Sequence, residues 1–206
     1  MYVHEYGARH LVDPERLWEG TKGAVGDQIQ FYAEPKPVPE ERIVEFTDGD
    51  VIDLGDQTLE AHHAPGHAPH QVVFYDAAVD AVFTADAAGL YTPSIDEVNV
   101  TSPPVNFDLA QALEDVEMLQ SLDPGTLCYA HFGPAPTGDR LETYADILPE
   151  WVEAIEEKRA ELGDDDAVIE HFVETVETPE IWGERKASAE VAMNVRGVLV
   201  ALDREE

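Results

Sequence analysis

Ala61-His62-His63-Ala64-Pro65-Gly66-His67-Ala68-Pro69-His70 gathers four of the chain's eight histidines into nine residues. Pro65, Gly66 and Pro69 forbid a continuous helix over this stretch. It therefore reads as a loop leaving a strand at 58–61, stiffened by its prolines and able to aim imidazoles at one point. Neutral imidazole is the commonest metal ligand in proteins. Surface histidines on a turn are the bland alternative, which suits a lone histidine better than four so closely spaced.

Working outward, short strands are expected at 43–46, 51–54 and 58–61, separated by turns at Asp48-Gly49 and Gly55-Asp56. Two more apolar runs, 72–75 and 81–84, read as strands of a sheet buried on one or both faces. Asp86 then stands just past the strand that ends Phe83-Thr84-Ala85. His131 stands just past another apolar strand around Leu127. Each is a common loop residue by itself. Together, three strand ends delivering His67, Asp86 and His131 make the arrangement an α/β metal site needs, with nitrogen and oxygen donors suited to zinc, iron or manganese.

The remaining pattern is largely helical. Asp13 and Pro14 mark a helix start as cap and first helical residue, and residues 34–40 form a proline-rich loop. Asp108 caps a helix with Leu109, Leu113, Val116 and Leu119 on one face and Gln111 as capping-box partner. Pro124-Gly125 ends it. A long helix over 148–163 turns Leu148, Trp151, Ile155 and Leu162 inward and glutamates outward. Helices at 168–176 and 187–202 follow, the last with Val191, Val195, Val198 and Leu202 inward. The expected organisation is a mixed α/β body over 1–147 and a helical C-terminal extension over 148–206. Asp164-Asp165-Asp166 lacks the glycine and distal glutamate of a calcium loop.

Composition narrows the function classes. Twelve Lys and Arg against 44 Asp and Glu give a net charge of −32, spread along the whole chain. Such a surface repels phosphate backbones and anionic lipids, which excludes nucleic acid and membranes as expected partners. It also reads as halophilic, because molar salt screens self-repulsion to within about 3 Å. Cys128 is the sole cysteine, so there is no disulfide within the chain and no thiolate zinc cage. No run reaches the length of a membrane span, and residues 1–6 lack the charged and apolar regions of a signal peptide. A cytoplasmic location is the default expectation.

Three motifs in order, Pro65-Gly66-His67-Ala68-Pro69-His70, Thr84-Ala85-Asp86 and His131-Phe132-Gly133-Pro134, resemble the third to fifth motifs of the metallo-β-lactamase superfamily. The stretch from Val3 to Trp18 is similar to the segment that follows the superfamily's first metal motif. The resemblance covers roughly residues 2–150 and implies an αββα sandwich with a dinuclear metal centre at one edge. It implies that His67 ligates the first metal, His131 the second, and Asp86 bridges both as the catalytic carboxylate. His63 and His70 match positions beside the metals that orient ligands or contact substrate. Two zinc ions, or iron or manganese in their place, would activate a water to attack an ester, thioester, phosphoester or lactam type bond of a small-molecule substrate.

One departure matters. The superfamily's His-x-His-x-Asp-His motif, which supplies two ligands to each metal, is absent from the chain. Its place would lie upstream of Met1. The expectation is therefore a truncated αββα sandwich, whose uncovered sheet exposes apolar strand faces and open edges. Three readings follow: a working protein with an earlier start, a fragment completed by another copy or chain, or a non-catalytic remnant serving as an interaction or scaffold domain. With two protein ligands per metal instead of the usual three, this chain alone should bind metal weakly or not at all and hydrolyse little.

Overall fold

A computed structural model describes residues 1–205. A first strand, β1 (Tyr2–His4), leads into α1 (Glu5–Val12) and α2 (Glu15–Val25). The Asp13 carboxylate accepts the Glu15 N–H at 3.3 Å, but Pro14 itself is the half-in residue before α2, whose first turn closes from Trp18 N to the Pro14 carbonyl. Next come β2 (Val44–Phe46), β3 (Val51–Asp53), β4 (Thr58–His63), β5 (Val72–Asp76) and β6 (Ala81–Ala85). A hairpin of β7 (Leu90–Thr92) and β8 (Glu97–Asn99), not foreseen in the sequence, precedes α3 (Leu109–Leu122). Strands β9 (Thr126–Tyr129) and β10 (Pro134–Pro136) are followed by α4 (Arg140–Leu162), α5 (Asp165–Thr175) and α6 (Glu184–Glu205).

The central sheet has six strands in the order β10-β9-β6-β5-β4-β3. Only β6 and β9 run parallel, as the crossover through α3 requires. Register sorts the side chains by face. Val73, Val82, Leu127 and Ala135 lie on one face, under Val116 and Leu119 of α3, Leu141, Tyr144 and Leu148 of α4, and Val195 and Val198 of α6, all in one buried core.

The opposite face is only partly covered. Phe46, Ile52 and Ala61 form a small second core with Leu59, Val72 and Phe74. Farther along the same face, Phe74 pairs with Phe83 and Phe83 with Cys128. Phe83 is 45% exposed although it lies on a central strand. This half-covered sheet is the partial sandwich expected from the motif pattern.

The sequence boundary at residue 147 falls inside α4, which starts at Arg140 and carries Pro149 within it. The C-terminal helices share the main core rather than forming a core of their own. A polar knot binds them to the body: Ser102 N donates to Asn194 Oδ1 at 2.8 Å, and Trp151 Nε1 donates to Ser102 Oγ at 3.1 Å. Two side-chain expectations need correction. Leu162 is 42% exposed, because α4 ends at a left-handed Gly163 just beyond the core. Leu113 is only half-buried, and Asp115 takes a place on the buried face of α3 beside Ala112, Val116 and Leu119. No helix among the described residues is long and apolar enough to cross a membrane.

Candidate metal centre

His67, Asp86 and His131 meet at one end of the sheet, beyond the last residues of β4, β6 and β9. His67 Nε2 lies 3.6 Å from Asp86 Oδ2, and His131 Nε2 lies 3.5 Å from Asp86 Oδ1. Each carboxylate oxygen thus faces one imidazole. Residues 45 and 64 positions apart in the chain are brought together by strand pairing alone.

The carboxylate is set in place by unusual backbone. Pairing of β6 with β9 slips between Phe83 and Ala85, and Ala85 adopts a left-handed φ of 46°. An L-residue pays about 1–2 kcal/mol for that conformation, and such strain gathers at functional sites. Gln71 connects this turn to the histidine loop. Its Oε1 accepts the Asp86 N–H at 3.3 Å and its Nε2 donates to the Ala64 carbonyl at 3.1 Å. The loop itself is clamped to α3: Gly66 N donates to Asp115 at 2.8 Å, and Asp108 N donates to the Gly66 carbonyl at 2.9 Å. That second bond occupies the donor a capping box would use. Gln111 turns to Glu114 instead, while Asp108 still caps through the Gln111 N–H.

Electrostatics follow from burial and these contacts. Burial pushes the His67 imidazole below its ordinary range, against the pull of Asp86. Burial favours the protonated Asp86 carboxyl, yet the His131 hydrogen bond and the charges of both histidines hold it below the usual carboxylate range. His131 is raised, chiefly by its bond to Asp86. The directions for His67 and Asp86 suit a divalent ion, which takes a neutral imidazole and an ionised carboxylate. The raised His131 would have to release its proton to ligate.

The donor types fit divalent ions; their number falls short. Among the described residues no group of three or more His, Cys, Asp or Glu is arranged to hold one ion. Among the described residues nothing hydrogen-bonds the buried His67 Nδ1, where a ligating imidazole is usually backed by a carboxylate or carbonyl.

The other histidines separate. His62 and His63 lie on β4, which runs two residues farther than expected because the break comes only at Pro65. His62 lies 3.5 Å from Glu60. His63 bonds the Pro69 carbonyl through Nε2 at 2.8 Å and stacks on His4 at 4.3 Å, so it braces the loop. His70 lines a cavity of about 850 Å³ that also contains His67, Asp86 and His131.

A sequence profile of the metallo-β-lactamase superfamily matches residues 1–131, well over half of the chain. The chain belongs to the metallo-β-lactamase superfamily. A curated relative, the metallo-β-lactamase fold-containing protein ST1585 of Sulfurisphaera tokodaii, is 30% identical over 121 residues, which is 58% of this chain and 44% of that protein. The uncharacterised protein ML0493 of Mycobacterium leprae is 37% identical over 92 residues, 41% of this chain and 37% of its own. The chain's matches thus span less than half the length of these relatives.

The solved structure of the archaeal ST1585 superposes with a TM-score of 0.68 at 22% identity, covering 100% of this chain and 70% of that one. At this identity the likeness concerns the fold. The features of this superfamily member that sequence reading missed are Gln71 and Asp115. Gln71 directly follows the histidine run and precedes an apolar strand, a weak local signal. Asp115 could have been noticed as a carboxylate on the buried stripe of α3.

Proposed function

We propose that this chain carries the later-motif half of a metal-dependent hydrolase centre, with His67 and His131 each holding one metal and Asp86 bridging them. The observation that carries the reading is the placement of both imidazoles 3.5–3.6 Å from the two oxygens of one carboxylate. When bound, two divalent ions would polarise the scissile group and bring a water's pKa to about 7. The chain's own contribution is positional. Asp86 keeps its two oxygens apart for two partners, Gln71 fixes its backbone, and the clamped loop holds His67. The adjoining cavity, with Leu90 and Phe132 among polar neighbours, admits a small-molecule ester, thioester, phosphoester or lactam.

The 206 residues alone supply too few ligands, so hydrolysis by this chain is weak until further ligands join it. The test is turnover of representative esters, thioesters, phosphoesters and lactams with added zinc, iron or manganese. It is run on the chain alone and on the chain extended by its upstream in-frame sequence. Turnover in the extended form that falls at least about a hundredfold in Asp86→Ala supports the hydrolase. Turnover indifferent to Asp86→Ala and His67→Ala overturns it. The ligand shortage and the exposed Phe83 favour a second reading, a non-catalytic interaction domain, which a fully inactive extended form would support.

A further inference from the structure

The cavity beside Asp86 carries a charge pattern unlike the rest of the molecule. Acids outnumber bases 44 to 12 in the chain, yet the charged residues lining this cavity are three of each: Arg9, Arg16 and Lys186 against Glu5, Asp86 and Glu190. The acidic members are largely accounted for. Asp86 faces His67 and His131, and Glu190 pairs with Lys186 at 3.2 Å. The arginines are not. Among the described residues neither Arg9 nor Arg16 forms an ion pair with a carboxylate, although carboxylates crowd the surface elsewhere. Both are exposed on the cavity wall, so their guanidinium groups are accessible to a dissolved anion.

Rings lead from Arg9 toward the centre. Arg9 Nε lies 3.3 Å from His10 Nε2, and the His10 ring lies 6.0 Å from that of His70, three residues after His67. Arg9, His10, Arg16 and His70 all line the same cavity, and burial first, then the charges of Arg9 and Arg16, hold His10 below its ordinary range. His10 and His70 thus bring imidazole nitrogens to the same wall as the two guanidinium groups.

We infer that Arg9 and Arg16, with His10 and His70 between them and the His67 loop, form a recess for an anionic group on the substrate, a carboxylate or a phosphate. The inference rests on the hydrolase reading of the same cavity and adds the substrate's chemical class. The ester or amide-like bond to be cut lies toward Asp86, and the anion anchors the far end on α1 and α2. A guanidinium pair is the recognition element suited to a planar or tetrahedral oxyanion.

The test uses the metal-free 206-residue chain, with inorganic phosphate and glutarate as separate probes, followed through the His10 and His70 ring resonances by NMR. Saturable shifts with one probe are expected, and which probe it is tells phosphate from carboxylate. Affinity should fall about tenfold or more in Arg9→Gln/Arg16→Gln, and remain unchanged in Arg196→Gln, an exposed charge outside the cavity. Asp86→Ala should keep the anion binding, so the recess stands or falls separately from the metal centre. Absence of saturable shifts with both probes, or equal affinity in the double variant, overturns the inference.

Discussion

Gly66 is tied to α3 through both of its backbone groups, and its closest bond joins it to Asp115: the N–H donates to that carboxylate at 2.8 Å. The fit leaves no room for a side chain. A Cβ on Gly66 would stand 2.3 Å from the N and Cα of Ala112. The histidine loop thus owes its position to a helix that contributes no ligand.

Replacing Gly66 with alanine should force the loop off α3. Overpacking against rigid backbone costs about 1–3 kcal/mol, occasionally more. Urea unfolding should show that loss, together with weaker metal retention because His67 is the next residue. Unchanged stability would mean the loop is not docked as described.

Asp115 gives a pH-dependent prediction. Burial pushes its carboxyl up to about 7, despite the Gly66 N–H that favours the charged form. An unfolded aspartate titrates near about 3.9. Between those two values the folded chain holds a proton that the unfolded chain has released, so this residue's contribution to stability falls as pH rises through the window and is lost above about 7. Asp115→Asn, which cannot ionise, should therefore gain stability relative to the parent on going from about pH 5 to about pH 8. Parallel pH profiles for the two proteins would refute this.

Much of this arrangement was legible in the sequence, and the reason is local. Strands at 43–46, 72–75 and 81–84 announced themselves by apolar runs, and His67, Asp86 and His131 stood just beyond strands with motif neighbours that made the superfamily recognisable. Asp108 showed as a cap. Other features depended on tertiary contact. Nothing near Asp115 in sequence says that Gly66 lies above it, and nothing near Gln71 says that Asp86 does. The start of α4 at Arg140, ahead of the expected 148, was not legible, since the helix runs through Pro149, a residue that ordinarily breaks one. Nothing around Arg9 and Arg16 in the sequence says that both line the cavity beside Asp86.

The open sheet face should govern association. Phe74, Phe83 and Cys128 form a row across β5, β6 and β9, and Phe83 is left uncovered. The chain is expected to self-associate through this face in salt, seen as a larger species in light scattering. Phe83→Lys should shift it toward monomer, with stability changed by no more than about 1 kcal/mol. A parent chain already monomeric, with no binding of a hydrophobic dye, would contradict this.

With a net charge of −32, self-repulsion should destabilise the fold in dilute buffer. The thermal midpoint should climb as potassium chloride is raised toward about 1 M, where screening acts within about 3 Å. A flat or falling midpoint would remove the salt-adapted reading.

The most direct test of the half-centre is a zinc titration of the purified 206-residue chain, followed by metal analysis after dialysis. Two partial ligand sets sharing Asp86 predict weak binding that dialysis removes, lowered further by His67→Ala or His131→Ala and abolished by Asp86→Ala. Two zinc ions retained tightly by this chain alone, or binding that survives loss of Asp86, would contradict it.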